Sequence, residues 1–231
     1  MPAHTLPHLP QPPDAVLFDL DGTIIDSRAS FVYCVNHTLA AHGLRERAPQ
    51  ELYRHLGPPT HETFKELLSA DGATADEASV DRIVAAYRDY YMAHGTEMVT
   101  VYDGMPELFE RLHGRVRMAV ATSKVIDATK MLLNALDLTR YFEVICGPAP
   151  EAVNEPKSAT VGQALAGLSA TAAVHAPVMI GDRFYDVDGA AEHGIPAIGV
   201  LWGTGSDREL RDAGAAAIVH SAAQIPPLLG C

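Results

Sequence analysis

Short apolar runs that end in polar residues recur along the chain. The first is Ala15-Val16-Leu17-Phe18, which is followed directly by Asp19-Leu20-Asp21-Gly22-Thr23. Apolar runs of this length, bounded by glycine and polar residues, are typical of buried strands in a parallel sheet. Runs of the same character predict further strands near 116–121, 143–146, 177–181, 197–201 and 216–219.

Helical periodicity fills the segments between these runs. From about residue 99 onward, predicted strands and helices alternate, which predicts a parallel sheet covered by helices on both faces. Residues 26–98 show no convincing strand, and their apolar residues recur at helical spacing, as in Phe31, Val35 and Leu39. Thr60 is predicted to cap one of these helices. We therefore predict an α/β fold, a doubly wound parallel sheet with a helical domain inserted after its first strand.

The same pattern divides the chain into three parts. Residues 1–13 are rich in proline and histidine and lack the apolar segment of a signal peptide, so we predict a disordered tail. Residues 14–25 and 99–231 are predicted to form the sheet-containing catalytic core. Residues 26–98 are predicted to form the inserted helical domain.

Composition limits the classes of function. No apolar stretch is long enough to cross a bilayer, and a formal net charge of −12 argues against a nucleic-acid groove, which requires a basic face. The cysteines, Cys34, Cys146 and Cys231, are isolated in the sequence, a usage typical of a reducing compartment and not of disulfides or a zinc site. We expect a cytoplasmic monomer or homodimer without nucleic-acid or membrane partners.

Two carboxylates follow the first predicted strand. Asp19 and Asp21 lie at its carboxyl end, the edge at which open α/β sheets bind ligands. In an extended chain residues two apart share one face, and Gly22 lets the chain leave that geometry. A carboxylate beside a second carboxyl group suits nucleophilic attack with acid–base help. An ordinary strand-end turn is the alternative, whereas a calcium loop is excluded because Ile24 and Ser30 stand where that loop requires Gly and Glu.

Three further polar clusters lie at the ends of predicted elements. Thr122-Ser123-Lys124 follows a strand and offers hydroxyl and backbone N–H groups to an anion, although an ordinary helix cap has the same composition. Lys157 opens an alanine-rich helix and is one of few lysines in the chain; a surface lysine is the alternative. Asp182 and Asp186 follow another strand, where two acids suit a hard cation such as Mg²⁺, or where Asp182 caps a helix.

These four clusters, taken in order, resemble the motifs of the haloacid dehalogenase (HAD) superfamily. Asp-x-Asp-Gly-Thr after an apolar strand resembles the first motif, and Thr122, Lys157 and the Asp182/Asp186 pair match the later ones. The resemblance covers nearly everything after residue 13. It implies a HAD-like Rossmannoid core, and residues 26–98 resemble the small helical cap of one HAD subclass. Because most members are Mg²⁺-dependent phosphatases, it implies a phosphoric monoester hydrolase with Mg²⁺ as cofactor.

The resemblance also implies catalytic roles. Asp19 is the expected nucleophile, which forms an aspartyl-phosphate, and Asp21 is the expected acid for the leaving alcohol and base for water. Thr122 and Lys157 are expected to take part in catalysis while they hold phosphate oxygens. The residues expected to bind the substrate are Gly22, Thr23, Thr122, Ser123 and Lys157.

A metal site follows from the same resemblance. Mg²⁺ is expected to bind Asp19, the backbone carbonyl of Asp21, and Asp182, where it would neutralise charge that develops on the phosphoryl group. Asp186 is expected to orient either the metal shell or Lys157 from behind.

The substrate is expected to be a small phosphorylated metabolite. Leu56-Gly57-Pro58-Pro59, Val101-Tyr102-Asp103-Gly104 and the segment 199–206 resemble phosphoglycolate phosphatases and 5′-nucleotidases, and we place 2-phosphoglycolate ahead of a 5′-nucleotide. A sugar-phosphate mutase shares all four motifs, and a non-catalytic binding module of the same fold is a further alternative. Asp21 disfavours a dehalogenase, which does not need this acid. The sequence assigns no role to Arg183 or to the turn at Gly57-Pro58-Pro59.

Overall fold

The structure is a computed structural model that describes residues 9, 12–57, 59–152 and 155–231. The predicted tail, residues 1–13, lies largely outside the described residues, and so does Pro58 of the turn named above. The strands are β1 (Ala15–Phe18), β2 (Ile25–Asp26), β3 (Thr100–Val101), β4 (Arg117–Ala121), β5 (Val144–Cys146), β6 (Pro177–Gly181), β7 (Ala197–Val200) and β8 (Ala217–Val219).

Helices connect these strands throughout the described chain. They are α1 (Arg28–Ala41), α2 (Pro49–Leu52), α3 (Thr60–Ala70), α4 (Glu77–His94), α5 (Met105–Leu112), α6 (Ile126–Ala135), α7 (Lys157–Ser169), α8 (Phe184–Ala191), α9 (Asp207–Asp212) and α10 (Ile225–Leu228). Among the helices described, none is long and apolar enough to span a bilayer.

Strand β1 lies in the middle of a parallel sheet. Over the described residues the sheet has the order β5-β4-β1-β6-β7-β8, and β1 pairs in parallel register with β4 on one side and β6 on the other. The carboxyl ends of all three strands therefore meet at the centre of one edge. This arrangement confirms the predicted α/β fold with a doubly wound parallel sheet.

Alternation along β1 explains why its four residues are all apolar. Val16 and Phe18 belong to one buried cluster, whereas Ala15 and Leu17 belong to a second cluster on the opposite face. Successive side chains of a strand point to opposite faces, so a strand covered on both sides has no polar position. Burial of each larger side chain contributes roughly 1.5–3 kcal/mol, and Phe18 also meets Phe109 edge to face at 5.5 Å between ring centroids.

Helices α1 to α4 leave and rejoin the chain next to β1. The residues at this junction, strands β2 and β3, pair antiparallel, with Ile25 opposite Val101. This two-stranded ribbon was absent from the sequence prediction, because a strand of two residues shows no periodicity. We call residues 28–94 the helical insertion and the rest of the described chain the sheet core.

The predicted helical character of the insertion is confirmed, with one local correction. Aromatic side chains hold its helices together: Phe64 of α3 and Tyr87 of α4 lie 5.3 Å apart between ring centroids, and Phe31 of α1 packs edge to face on Tyr87. Thr60 was predicted to cap α3 but is the first residue of that helix, and Pro59 occupies the capping position. The fixed φ of proline suits the extended backbone required just before a helix.

Candidate active site

The site forms where three central strands end and one helix begins. Asp19 follows β1, Thr122 follows β4, Asp182 follows β6, and Lys157 is the first residue of α7. All four side chains are buried. Because parallel strands deliver their carboxyl ends to one edge, residues more than one hundred positions apart in the sequence come together here.

Lys157 pairs with two acids at once. Its Nζ lies 2.5 Å from Oδ1 of Asp19 and 2.7 Å from Oδ1 of Asp186. The side chains of Lys157 and Asp186 are only 5% and 3% exposed. Burial opposes the charge on Lys157, but attraction to Asp186 and Asp19 outweighs it and raises the pKa of the lysine. The ammonium group is therefore charged, as a group that holds phosphate oxygens must be.

Asp19 carries an unusually weak acid group. Burial raises the pKa of Asp19 to about 7, and the neighbouring Asp186 and Asp182 add to the shift, while Lys157 opposes it. A further positive charge at this position would lower that pKa again and keep the carboxylate in its nucleophilic, ionised form.

Asp182 is enclosed by backbone and by Thr204. Its Oδ2 accepts hydrogen bonds from the N–H of Thr204, at 2.7 Å, and from the Thr204 hydroxyl, at 3.0 Å. Burial raises the pKa of Asp182 to about 6, helped by Asp186 and opposed by Thr204. Gly22 and Gly203 approach the carboxylate so closely that a Cβ on either would collide with it. Glycine is therefore required at both positions.

The three acids fit a hard cation. Asp19, Asp182 and Asp186 bring one oxygen each within 4.8 Å of the others. Oδ1 of Asp182 is buried and has no hydrogen-bond partner among the described residues, a costly arrangement for a carboxylate oxygen unless a cation binds it. Oxygen atoms in such a cluster are the ligands that Mg²⁺ prefers. The donor set is therefore suited to Mg²⁺.

Asp186 also helps to cap α8 from its first turn. Its Oδ2 accepts the backbone N–H of Arg183 at 3.0 Å, while its other oxygen binds Lys157. The cap position that the sequence offered as an alternative for Asp182 is occupied by Arg183, and Asp186 is the third helical residue of the capping box. This second contact fixes the Asp186 carboxylate and, through it, Lys157.

Asp21 points to different partners. Its Oδ2 lies 3.0 Å from Nζ of Lys124, and its Oδ1 accepts a short hydrogen bond from the hydroxyl of Ser27. Lys124 also lies over the ring of Tyr91, 4.7 Å from the centroid. Burial opposes the charge on Lys124, but Asp21 and the phenol groups outweigh it, so the pKa of Lys124 is raised. The two catalytic acids expected from the sequence are thus held by two separate lysines.

The remaining sequence-predicted residues differ in accessibility. Thr122 is buried and its Oγ1 accepts the backbone N–H of Lys124 at 3.1 Å, while Ser123 is half-buried. Thr23 was expected to bind substrate, but its side chain is fully buried and its carbonyl oxygen accepts the indole N–H of Trp202 at 2.9 Å. In this structure Thr23 therefore contacts Trp202 through its backbone, and its side chain is not accessible to a substrate.

Several residues at the site were not predicted from the sequence. Arg183, to which no role was assigned from the sequence, donates from Nε to Glu209 at 2.7 Å and from Nη1 to the carbonyl oxygen of Leu56 at 3.2 Å. It thereby connects the loop after β6 with the helical insertion. Lys124 and Thr204 lie next to the sequence motifs but were not predicted to belong to the site. The spacing of residues along a loop does not show which side chains point inward.

A parallel sheet with this acidic centre at its carboxyl edge defines a Rossmann-type hydrolase. Residues 16–200 match the haloacid dehalogenase-like hydrolase family, and the chain belongs to that family. The comparisons confirm the predicted family and the prediction of a phosphatase-type enzyme.

Relatives in this family carry more than one activity. The chain is 36% identical over 213 residues to tyrosine-protein kinase PtkA of Mycobacterium tuberculosis, covering 91% of this chain and 69% of that protein. It is 36% identical over 197 residues to a 5′-nucleotidase of Pseudomonas aeruginosa, with 85% and 86% covered. A phosphoglycolate phosphatase of Mesorhizobium japonicum is 30% identical over 207 residues, with 88% and 89% covered.

Solved structures show the same fold. A predicted phosphatase from Clostridium acetobutylicum superposes with a TM-score of 0.83 at 32% identity, and the match covers 96% of this chain and all of that one. The fold and the family are therefore shared with phosphatases, and the substrate is a separate question.

Proposed function

We propose that the protein hydrolyses a small phosphate monoester, 2-phosphoglycolate in first place, through a phosphorylated Asp19. The observation that carries the proposal is the pair of separate ion pairs in the site: Lys157 with Asp19, and Lys124 with Asp21. One acid is held beside a phosphate-binding lysine and the other is held apart from it. Two carboxyl groups with different partners suit two different tasks.

Asp19 is the nucleophile in this proposal. One of its oxygens forms a bond to phosphorus while the ester P–O bond breaks, and the electron pair of that bond stays on the leaving oxygen. Lys157 and the hydroxyl of Thr122 hold the other phosphoryl oxygens, where negative charge develops. The contact between Lys157 and Asp186 keeps the ammonium group in position without a conformational change.

Asp21 is the acid and the base. It gives its proton to the leaving oxygen, so that a neutral alcohol departs, and then takes a proton from the water that attacks the phosphorylated Asp19. As the water oxygen bonds to phosphorus, the O–P bond to Asp19 breaks and its electron pair stays on Asp19. Phosphate is released, Asp19 is again a carboxylate, and Asp21 is again protonated for the next turnover. The hydrogen bond from Ser27 and the ion pair with Lys124 orient Asp21 toward the leaving group.

Mg²⁺ is the cofactor in this proposal. Asp19, Asp182 and the backbone carbonyl of Asp21 would hold the ion, and Asp186 would orient this set. When bound, the ion offsets the mutual repulsion of the buried carboxylates and the charge of the phosphoryl group.

The helical insertion serves as a cap over the site. Arg183 reaches the carbonyl of Leu56, and Lys124 lies against Tyr91, so the insertion meets the sheet core on two sides of the acids. A cap that excludes bulk water favours a small substrate, and it favours transfer of the phosphoryl group to one water molecule positioned in the site.

A 5′-nucleotide is the second candidate substrate, supported by the 36% identity to the nucleotidase. Its base would need an aromatic surface for stacking. Trp202 is tied to the carbonyl of Thr23 and lies near Tyr102, 6.5 Å between ring centroids. This placement supports the smaller substrate. Similarity to PtkA raises phosphoryl transfer to tyrosine as a third possibility, which the experiment includes.

The test is a side-by-side measurement of kcat/KM in Mg²⁺ for 2-phosphoglycolate, nucleoside 5′-monophosphates, sugar phosphates and pyrophosphate. ATP with a tyrosine-containing polypeptide is added to detect transfer to protein. An Asp19→Asn preparation purified in parallel is the matched control, because it reports any contaminating phosphatase. We expect 2-phosphoglycolate to lead by at least about tenfold, about 1.4 kcal/mol in barrier.

Other outcomes identify the error. A nucleotide that leads by more than about tenfold replaces the proposed substrate. Conversion of β-glucose 1-phosphate to the 6-phosphate, or label transfer to tyrosine, replaces the reaction class. If not even an aryl phosphate is hydrolysed, the protein is a binding module.

A further inference from the structure

We propose that Lys124 binds the carboxylate of the leaving alcohol, so that of two small phosphate esters of equal size the enzyme selects the one whose alcohol is negatively charged close to the ester oxygen. The inference rests on the proposed function, because it concerns the leaving group of the same hydrolysis. It assigns a specificity role to a lysine that the proposed hydrolysis otherwise uses only to orient Asp21.

Distance places Lys124 next to the leaving group. Its Nζ lies 3.0 Å from Oδ2 of Asp21. In the proposed reaction Asp21 protonates the leaving oxygen, and this requires about 3 Å between the two oxygens. The leaving oxygen therefore lies within about 6 Å of Nζ, the sum of those two distances. In glycolate a single methylene separates this oxygen from the carboxylate, which brings the carboxylate within reach.

Lys124 has hydrogen-bonding capacity left. An ammonium group has three donors, and among the residues that the structure describes Asp21 is its one carboxylate partner. The ring of Tyr91, below Nζ at 4.7 Å, stabilises the cation but accepts no conventional hydrogen bond. The Tyr91 hydroxyl is itself buried and lacks a hydrogen bond within the described chain. With Asp21 on one donor and the Tyr91 hydroxyl close enough to take a second, at least one ammonium donor of Lys124 is left for a further oxygen.

Exposure separates this lysine from the phosphate-binding one. The side chains of Asp21 and Lys124 are 15% and 16% exposed, whereas Lys157 is 5% exposed. The phosphoryl group binds at the deeper pair, so the alcohol extends toward the more accessible pair. A substrate that contacts both lysines carries one negative group near Lys157 and another near Lys124.

Charge explains why such a lysine is needed. The chain has a net charge of −12, and Asp19, Asp182 and Asp186 surround the phosphate end. A second anionic group on the substrate is repelled there unless a local cation offsets the repulsion. A neutral alcohol has no such requirement. Lys124 is thus expected to discriminate by charge and not by size.

The experiment compares two substrates of nearly equal size. One is 2-phosphoglycolate and the other is 2-hydroxyethyl phosphate, in which a neutral CH₂OH group replaces the carboxylate. We measure kcat/KM of both with the wild type, Lys124→Met, Lys124→Arg and the matched control Lys130→Met. Lys130 lies on α6 and is exposed. We expect the ratio of the two kcat/KM values to fall at least tenfold in Lys124→Met, and to be retained in Lys130→Met and largely in Lys124→Arg.

Equal losses on both substrates overturn the inference, because they show that Lys124 only positions Asp21. A nucleotide preference in the wild type overturns the proposed substrate but leaves the ratio test intact, so the two failures are distinguishable. If Lys124→Met does not fold, as judged by circular dichroism, product inhibition of the wild type decides. Glycolate is then expected to inhibit at least tenfold more strongly than ethylene glycol, and equal inhibition contradicts the proposal.

Discussion

The sheet core and the helical insertion contribute different kinds of groups to the site. The sheet core provides all the carboxylates and both lysines, and most of these side chains have two fixed partners. The insertion meets them with a backbone carbonyl, from Leu56, and the ring of Tyr91. In the proposed function the charged groups do the chemistry, whereas the neutral groups close the site. We infer that the core determines the reaction and the insertion affects which molecule reaches it.

Attachment differs between the two regions as well. Asp19 follows a strand paired on both sides, and its own N–H donates to the carbonyl of Ile180 at 2.9 Å. The insertion is joined to the core through the two-residue strands β2 and β3. Groups at the end of a central strand cannot move without loss of sheet hydrogen bonds, whereas the insertion is held by this short ribbon and by side-chain packing in a buried cluster that it shares with β1. We infer that preorganisation belongs to the core and adjustment to the insertion.

Removal of the nucleophile should give the largest effect. Asp19→Asn should fold, because the asparagine keeps the shape and relieves repulsion from Asp182 and Asp186. We expect kcat to fall at least about a thousandfold, about 4 kcal/mol in barrier, since an amide is a poor nucleophile at phosphorus. Asp188→Asn, an exposed change on α8, is the control. Residual activity of Asp19→Asn within tenfold of wild type would exclude Asp19 as nucleophile.

Metal removal should come next in size. Excess chelator should reduce activity at least about a hundredfold, because the buried carboxylates repel the phosphoryl group when no cation offsets their charge. Mg²⁺ should restore activity, and Asp182→Asn should need at least about tenfold more Mg²⁺ for half-maximal rate. A metal titration of both proteins measures this. Undiminished turnover in the metal-free enzyme would contradict the metal site.

The pH dependence of metal binding tests the electrostatics of the core. The pKa values of Asp19 and Asp182, about 7 and about 6, lie above the ordinary value of 3.8. At these two positions the folded protein therefore holds more protons than the unfolded chain between about pH 4 and pH 7, and their contribution to metal-free stability should decrease as the pH rises through that range. Protons and Mg²⁺ compete for the same oxygens.

We therefore expect Mg²⁺ to bind about tenfold more weakly at pH 5.5 than at pH 8. Mg²⁺ should also raise the melting temperature more at pH 8. Calorimetric titration and thermal melts at both pH values check this, with Asp188→Asn as the unaffected reference. A pH-independent affinity would mean that Asp19 and Asp182 are already ionised without metal.

The sequence predicted the sheet core better than its inner contacts. Apolar runs located each long strand within a residue or two, because a strand buried on both faces admits no polar side chain. The family motifs located Asp19, Lys157 and Asp182 because each stands at a strand end or a helix start. The partnership of Lys124 with Asp21 was not predictable, since it depends on how a loop turns. The same holds for the hydroxyl of Thr204 on Asp182.

For the insertion, the helices were predictable from the sequence, but their contacts with the core were not. Its helices follow from apolar spacing, but its docking on the core depends on a shared buried cluster and on hydrogen bonds between residues far apart in the sequence. Arg88 of α4 donates to the carbonyl of Pro150 at 2.7 Å, across 62 positions. The apolar periodicity of the sequence does not predict a contact between two residues so far apart. Whether the insertion selects substrate, as we propose, depends on contacts of this kind.

The smallest predicted effect concerns that contact. Arg88→Gln removes a hydrogen bond between the insertion and the core. A single hydrogen bond contributes about 1 kcal/mol. Its loss should lower the ratio of closed to open arrangements of the insertion about fivefold. We expect KM for 2-phosphoglycolate to rise about threefold to tenfold and kcat to stay within about twofold. Arg82→Gln on the same helix, where the arginine meets only Ser79 among the hydrogen bonds described, is the matched control.

An aryl phosphate sharpens this comparison. Its leaving group needs little help from a closed site, so Arg88→Gln should change its kinetics less than those of 2-phosphoglycolate. Steady-state kinetics with both substrates, for wild type, Arg88→Gln and Arg82→Gln, give the answer. A fall in kcat alone, equal for the two substrates, would show that the insertion supports the catalytic groups and does not act on substrate binding. A rise in KM confined to the small substrate is the result expected if the core performs the reaction and the insertion selects its substrate.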